Sequence, residues 1–421
     1  MTTPASSPAS SPSEIDSGAS WVRLVAALLA GGIGGVGMWS VAVVLPSVQA
    51  EFGVERGAAS FPYAMTMLGL AVGGIMMGRI ADRFGIRVVV ALGAVMLGLG
   101  FALASQVTAL WQFILVQGLV IGALGTSATF GPLVADITLW FEKRRGLAVA
   151  LVASGNYLAG AVWPPLLQYG IATYGWRATY LAVAVISVAG MLPLTLLFRR
   201  PPPPQPPPPL ANSAAALAQS RPLGMSPAAL QALLLLAGVS CCVGMSMPQV
   251  HIVAYCGDLG FGTAAGAQML SLMLAAGIVS RLLSGWISDR IGGLPTLLLG
   301  SALQGLMLMA FLPFDGLTAL YVVSFLFGLV QGGIVPSYAI IVRELFPADK
   351  YLATRISSVL MITVAGMALG GWLSGVIYDY TGSYRAAFLH GIAWNWLNLA
   401  IALFLFYRRY PRGGEAGRVV A

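Results

Sequence analysis

Long stretches without a single charged side chain are the feature of this sequence that most limits how it can fold. Five of them cover residues 88–135, 146–176, 259–280, 316–342 and 386–407. Each contains one or two segments of about 20 apolar residues, enough for a helix to cross a hydrocarbon core of roughly 30 Å. Only 9% of the chain is charged, against about 25% in an ordinary soluble domain. The sequence therefore predicts an all-α, polytopic membrane protein and argues against a soluble enzyme.

Hydropathy and helix-breaking residues predict twelve membrane spans, which we expect to form two six-helix bundles at 21–198 and 226–407. The predicted spans are 22–46, 58–80, 88–106, 110–137, 146–170, 177–198, 228–255, 263–287, 295–313, 316–343, 354–377 and 385–407.

Three segments outside the spans differ in composition from the rest. Residues 1–20 are rich in Ser, Pro and Ala and lack an apolar core, which predicts a disordered tail and no signal peptide. The predicted linker at 199–225 contains a nearly pure proline run, so we expect an extended, stiff connector. Residues 408–421 are predicted to be a second tail.

The distribution of basic residues predicts the orientation. With both termini on one side, all of the 22 Lys and Arg residues lie on that side except Arg56, Arg177 and Arg385, and Arg281 within a span. The positive-inside rule then predicts cytoplasmic termini in a plasma (inner) membrane. It also accounts for the net charge of +8 without a nucleic-acid partner.

The two predicted bundles carry related segments. Residues 78–85 return as 285–292, a shift of 285 − 78 = 207 positions, and Arg177 returns as Arg385. A Leu-Val-Gln-Gly segment also occurs twice, starting at Leu115 and at Leu329. Such repeats predict a duplicated six-span unit inserted in the same sense, as in transporters that rock about a central site.

The first repeated segment resembles the loop signature of the major facilitator superfamily. The resemblance implies a fold of two helical bundles, with alternating access. We expect the small residues to allow close helix packing and Asp82 to accept charged hydrogen bonds that latch the cytoplasmic side. A loop that only directs membrane insertion is the alternative. The predicted latch residues are Gly78, Asp82, Arg83, Arg87, Gly285, Asp289 and Arg290.

Further segments resemble the monocarboxylate and oxalate/formate branch of that superfamily. They are Trp-Phe-Glu-Lys-Arg-Arg-Gly-Leu-Ala at 140–148, Ala-Ser-Gly-Asn at 153–156, a Gly- and Tyr-rich stretch at 370–384, and Arg-Leu-Leu-Ser-Gly from Arg281. The resemblance implies that an arginine at this place binds the carboxylate of the substrate.

Arg281 is the predicted substrate anchor on physical grounds as well. It precedes Asp289 by eight residues, which as helix is roughly 12 Å inside the boundary. An ionised side chain in the bilayer costs about 3 kcal/mol or more unless it faces water or a partner. No acidic partner is obvious in the sequence, and a planar guanidinium suits a substrate carboxylate. An arginine that snorkels to the boundary or latches a loop is the alternative.

The chain departs from the branch at two coupling positions. Many animal members have an Asp where Gly277 stands and a Lys where Trp39 stands, so their proton relay does not transfer. The dicarboxylate exchanger of the branch has a second cation in span eleven, whereas residues 356–378 contain no basic residue. One buried cation favours a monoanion over a dianion.

Other polar and aromatic residues are predicted to line the site, with hydrogen bonding or packing between helices as the alternative for each. They are Asn156, Gln331, Tyr338, Tyr63 and Trp39.

Two titratable residues are candidates for proton coupling. His251 lies near the outer end of span seven, where packing or an outer gate is an equally good interpretation. Asp136 precedes Trp140, and the competing interpretation is an anchor for the end of span four.

The sequence lacks the motifs of other functions. The dinucleotide-like pattern at 32–37 lies within span one and follows no strand, and no metal-ligand spacing, nucleophile elbow or phosphate-binding lysine is present. We therefore expect no enzyme activity, cofactor or metal. The predicted function is secondary transport of small organic monocarboxylates, lactate-like, pyruvate-like or larger, coupled to protons, by a monomer in the lipid bilayer. The alternatives are an anion exchanger, an efflux pump for apolar or cationic compounds, and a membrane sensor.

Overall fold

A computed structural model describes residues 15–142, 144–200, 222–346 and 352–410. The described part of the chain has no strand, and it contains twelve helices long and apolar enough to cross a membrane. The all-α prediction and the count of twelve spans are confirmed. Helices α1 to α12 are Gly18–Phe52, Arg56–Phe84, Ile86–Ala104, Leu110–Ile137, Gly146–Tyr174, Trp176–Phe198, Pro227–Asp258, Thr263–Ile291, Gly293–Ala310, Leu317–Leu345, Ser358–Thr381 and Tyr384–Arg409.

The segments outside the spans are only partly described. Helix α1 begins at Gly18, two residues before the predicted end of the first tail at residue 20, and the Ser17 hydroxyl caps the start of the helix. Most of the predicted tail, the linker residues 201–221 and the end of the chain from residue 411 lie outside the described residues.

Side chains on the outer surface of the bundle are apolar. Val72, Val185 and Trp111 are each more than 60% exposed, a pattern that water disfavours and lipid favours. Together with the twelve spans, this surface identifies a multi-pass membrane protein.

Several helices are interrupted at glycine. Helix α1 breaks at Gly35, where an added Cβ would lie 2.5 Å from the Ala159 Cβ on α5. The middle of α4 is a π-helix over Val116–Gly125, and α2 packs closely against it: a Cβ at Gly69 would lie 2.0 Å from the Gly118 carbonyl oxygen. Small residues at these contacts let the backbones approach, which increases the van der Waals packing that holds helices together in lipid.

The two halves, α1–α6 and α7–α12, contact each other mainly through α2 against α11 and α5 against α8. We call the end of the bundle where α1 begins and α12 ends the termini end, and the opposite end the far end. The contacts between halves include the Phe61–Trp372 ring pair, with centroids 5.9 Å apart, and a 2.7 Å hydrogen bond from Gln168 to Thr263. Both lie toward the far end, so the halves are joined there.

The predicted latch residues lie at the termini end and are not joined. Asp82, Arg83, Arg87, Asp289 and Arg290 are exposed, and neither Asp82 nor Asp289 forms a hydrogen bond or ion pair with any described residue. The close packing expected at their glycines is not found in this conformation: no atom lies within 4 Å of a Cβ built at Gly78 or at Gly285. The gating role of the seven residues stays a prediction.

Candidate functional site

Arg281 lies half-buried in α8 at the seam between the halves. Its Nη1 donates to the Ala153 carbonyl, at 2.7 Å, and its Nε to the Gly332 carbonyl, at 3.3 Å. Ala153 belongs to the first half and Gly332 to the second. One guanidinium therefore contacts the backbone of both halves at the seam.

Helix breaks make both carbonyls available. Helix α5 is interrupted between Ala153 and Gly155, and α10 between Gln331 and Ile334. Four residues after Gly332 stands Pro336, which has no N–H to donate to that carbonyl. Pro336 thus leaves the Gly332 carbonyl oxygen free to accept a hydrogen bond from Arg281.

The positive charge of Arg281 lies among backbone carbonyls and an aromatic ring. No Asp or Glu among the described residues forms an ion pair with it. Its guanidinium instead lies over the Tyr157 ring, 4.3 Å from the centroid, and such a contact stabilises a desolvated cation without neutralising it. The two carbonyls use two of five N–H donors, so donors remain for an anion.

Tyr157 was not predicted as a site residue. It follows the predicted Asn156, but nothing in the sequence indicates that α5 places this ring against α8. The approach depends on Gly277, where a Cβ would lie 2.4 Å from the Tyr157 ring. The position at which animal members of the branch have an Asp is therefore filled by an aromatic ring of α5.

Two predicted residues of the first half meet beside Tyr157: Asn156 precedes it on α5, and Trp39 of α1 contacts Asn156. The Trp39 indole N–H donates to the Asn156 carbonyl, at 3.0 Å, and approaches its side-chain oxygen at 3.2 Å. Trp39 is buried and Asn156 half-buried. The structure thus brings Arg281, Asn156 and Trp39 into one region, with Ala153 and Tyr157 between them.

The other predicted lining residues are more dispersed. Gln331 precedes Gly332 and accepts a 2.8 Å hydrogen bond from Gln249 on α7. Tyr63 packs against Gly371 on α11, and its hydroxyl has no partner among the described residues. Tyr338 donates to Asn398, at 2.6 Å, within the packing of the second half.

The two candidates for proton coupling lie at opposite ends. His251 is fully buried; its Nε2 donates to the Gly371 carbonyl at 2.7 Å, and its Nδ1 is 3.3 Å from the Tyr384 hydroxyl. Asp136 forms a two-pronged ion pair with Arg23, at 2.7 and 2.8 Å, and both side chains are buried.

The Arg23 ion pair joins three helices at the termini end. Arg23 belongs to α1 and Asp136 to α4, and a third donor of Arg23 reaches the carbonyl of Arg200, just after α6, at 3.0 Å. The Trp140 ring lies 4.4 Å from the guanidinium. These contacts are those expected of an anchor for the end of α4.

Comparisons with known proteins agree with this architecture. A family model described as Major Facilitator Superfamily matches residues 27–320 and 295–419. Monocarboxylate transporter 13 of Bos taurus is 29% identical over 333 residues, 79% of this chain and 75% of that protein. The agnestins efflux protein AgnL12 of Paecilomyces divaricatus is 24% identical over 313 residues, 72% and 69% of the two chains. A bacterial homologue of the human lysosomal transporter Spinster, solved inward-facing and occupied, has a TM-score of 0.69 at 14% identity, covering 92% of this chain and 96% of that one.

Proposed function

Because this chain belongs to the Major Facilitator Superfamily, we propose that it is a secondary transporter of small organic monocarboxylates. The observation that carries the proposal is Arg281, a half-buried cation at the seam between halves with no acidic partner among the described residues. The similarity to a protein named monocarboxylate transporter 13 supports the same substrate class.

The position of Arg281 suggests how binding and movement are linked. Its contact with Ala153 crosses from the second half to the first, and closing the seam around an uncompensated cation is costly in low dielectric. A carboxylate that accepts two parallel N–H bonds neutralises the charge. The loaded carrier therefore passes through the closed state more easily than the empty one, as alternating access requires.

A monoanion fits better than a dianion. Arg281 is the one basic residue within the spans α8 and α11 away from their ends, since residues 358–378 contain no Lys or Arg. A second carboxylate would remain uncompensated in the seam. We propose acids of the lactate or pyruvate type and larger monoanions.

We further propose that transport is coupled to protons and that the protein lies in the plasma (inner) membrane with its termini in the cytoplasm. A proton that accompanies the anion removes net charge from the translocated species, and the positive-inside rule gives the orientation. Anion exchange is the alternative coupling. In proteoliposomes, proton symport requires acceleration by an inside-alkaline gradient, whereas exchange requires a counter-anion inside.

The substrate class is tested by thermal unfolding of the purified protein with mono- and dicarboxylic acids at two pH values. A ligand at a hundred times its Kd stabilises the folded state by about 2.7 kcal/mol. We expect monocarboxylates to raise the Tm by a few degrees and matched dicarboxylates to leave it unchanged. Equal shifts for both classes, or a shift with apolar amines only, would contradict the proposal.

Tyr157 is expected to position Arg281 for the substrate. Tyr157→Leu removes the ring contact, worth about 1–2 kcal/mol for a partly desolvated cation, and should raise the KM for uptake about tenfold. Tyr157→Phe keeps the ring and should keep a KM near that of the wild type. A Leu variant with the wild-type KM would show that the ring contributes only packing.

Efflux of an apolar or cationic compound is a second candidate. It is favoured by the similarity to a fungal protein named as an efflux protein. Such a substrate does not bind the Arg281 charge, so its export would continue in an Arg281→Gln variant. Lactate-like acids would not compete with it.

A further inference from the structure

The far end of the molecule contains charged contacts that pass from one half to the other. Arg56 is the first residue of α2, and its side chain is only 8% exposed. Its Nη1 and Nη2 donate to the two carboxylate oxygens of Asp258, at the end of α7, at 3.0 and 3.2 Å. Arg56 therefore leaves its own half and pairs with an acid of the other.

Aromatic residues of the second half enclose the same guanidinium. The Tyr378 ring lies 4.6 Å from it, and the Tyr384 hydroxyl accepts a further hydrogen bond from Nη1. Tyr384 in turn contacts His251. Arg56 thus contacts side chains of α7, α11 and α12 at once.

The backbone at the start of α2 is bound by the second half as well. The first N–H groups of a helix have no partner within it and carry partial positive charge. Glu55, which precedes α2, forms no capping bond with its side chain. Asp379 of α11 takes this role: its two carboxylate oxygens accept from the N–H of Arg56, at 2.8 Å, and of Gly57, at 2.6 Å.

The internal repeat shows that the acid at this position pairs across the seam in the second half but not in the first. At the 207-residue shift Glu51 corresponds to Asp258, and both are followed two residues later by a glycine with positive φ, Gly53 and Gly260. Glu51 stays within its own half, where it accepts hydrogen bonds from Trp176 and Arg177.

In the second half the corresponding pair is not formed. Arg385, the counterpart of Arg177, is exposed and has no ion pair with any described residue. Its place at Asp258 is taken by Arg56 from the other half. The counterpart of Arg56 is Thr263, whose contact across the seam is a single uncharged hydrogen bond with Gln168.

We propose that Arg56, Asp258 and Asp379 form an inter-half latch that holds the far end closed and must release when that end opens. The inference rests on the alternating-access part of the proposed function, but not on the substrate. Opening the far end separates α2 from α11, which breaks the Asp258 ion pair and removes the Asp379 cap together. Released carboxylates and N–H groups then have water as their partner, so the latch biases the equilibrium without blocking it.

The test is a distance measurement across the far end. Spin labels at Glu55 and Tyr380, both exposed and on opposite halves, report the separation of α2 and α11 in nanodiscs. The three native cysteines are buried, and the protein without added cysteines gives the labelling control. We expect a mainly short distance in the wild-type background.

Variants of the inter-half latch should shift the distribution of distances between the two spin labels. Arg56→Gln and Asp379→Asn should each raise the long-distance population relative to the short one by about tenfold, as expected when a charge-assisted contact is lost. Glu51→Gln is the matched control, because it removes a charge at the same end within one half. It should leave the distribution unchanged.

Two results would overturn the proposal: unchanged distances in both latch variants, or an equal shift in Glu51→Gln. If Arg56→Gln fails to fold, Asp379→Asn alone decides, since the isosteric amide preserves the packing. The outcome is separable from the substrate proposal, because the distances are measured without substrate. Normal uptake by an Arg281 variant would contradict the proposed substrate class but would leave the far-end distances, and so the inter-half latch, unaffected.

Discussion

Arg281→Gln is expected to lower the uptake of a lactate-like acid into proteoliposomes by at least about a hundredfold, because two hydrogen bonds to a charged group are worth about 3 kcal/mol together. The glutamine keeps a polar side chain at the seam but has no charge to offer a carboxylate. Arg281→Lys keeps the charge without the two-pronged geometry. It should retain intermediate uptake with a raised KM.

Arg385→Gln is the matched control for that loss. Arg385 belongs to the same half, is exposed, and forms no ion pair with a described residue, so its removal should change neither uptake nor Tm. The Tm of Arg281→Gln should also stay near that of the wild type. Undiminished uptake by a folded Arg281→Gln protein would remove the assignment of the substrate class.

Breaking the buried ion pair at the termini end is expected to have the largest effect on stability. Arg23 and Asp136 are 2% and 8% exposed, and removing one partner of a buried pair costs about 3–5 kcal/mol because the other charge stays buried. Asp136→Asn and Arg23→Gln should therefore both lower the Tm strongly in thermal unfolding of the purified protein.

Asp82→Asn provides the comparison for this prediction. Asp82 lies at the same end, is exposed, and has no partner among the described residues. The Tm of the Asp82→Asn variant should therefore match that of the wild type. If Asp136→Asn kept the wild-type Tm and lost only the response of uptake to a pH gradient, Asp136 would be a coupling residue and the anchor interpretation would be wrong.

The sequence predicted the fold well because each span carries its own signal. Apolar length and breaker residues are local properties, and the lipid requires each span to satisfy its backbone internally. The predicted span 110–137 matches α4 at both ends. The π-helix inside α4 was not predicted; it lies where Gly118 packs against Gly69 of α2, a contact that the sequence does not indicate.

The site was predictable only in part, because the sequence shows signals that lie within one span but not contacts between spans. Arg281 stands out in sequence because a charge within an apolar run is costly. The contact with Tyr157 and the pairing of Arg56 with Asp258 depend on how two halves meet, and no spacing along the chain encodes that meeting. The second pair had one signal, the 207-residue repeat that matches Glu51 to Asp258, but the repeat alone does not indicate which half supplies the arginine.

Equilibrium binding of a radiolabelled monocarboxylate to purified wild-type and Arg281→Gln protein tests directly whether Arg281 holds the carboxylate, without a flux measurement. We predict saturable binding to the wild type that unlabelled monocarboxylates displace, and none to the variant at the same concentrations. Equal affinity in the two proteins, with both folded by thermal unfolding, would show that the guanidinium does not hold the carboxylate.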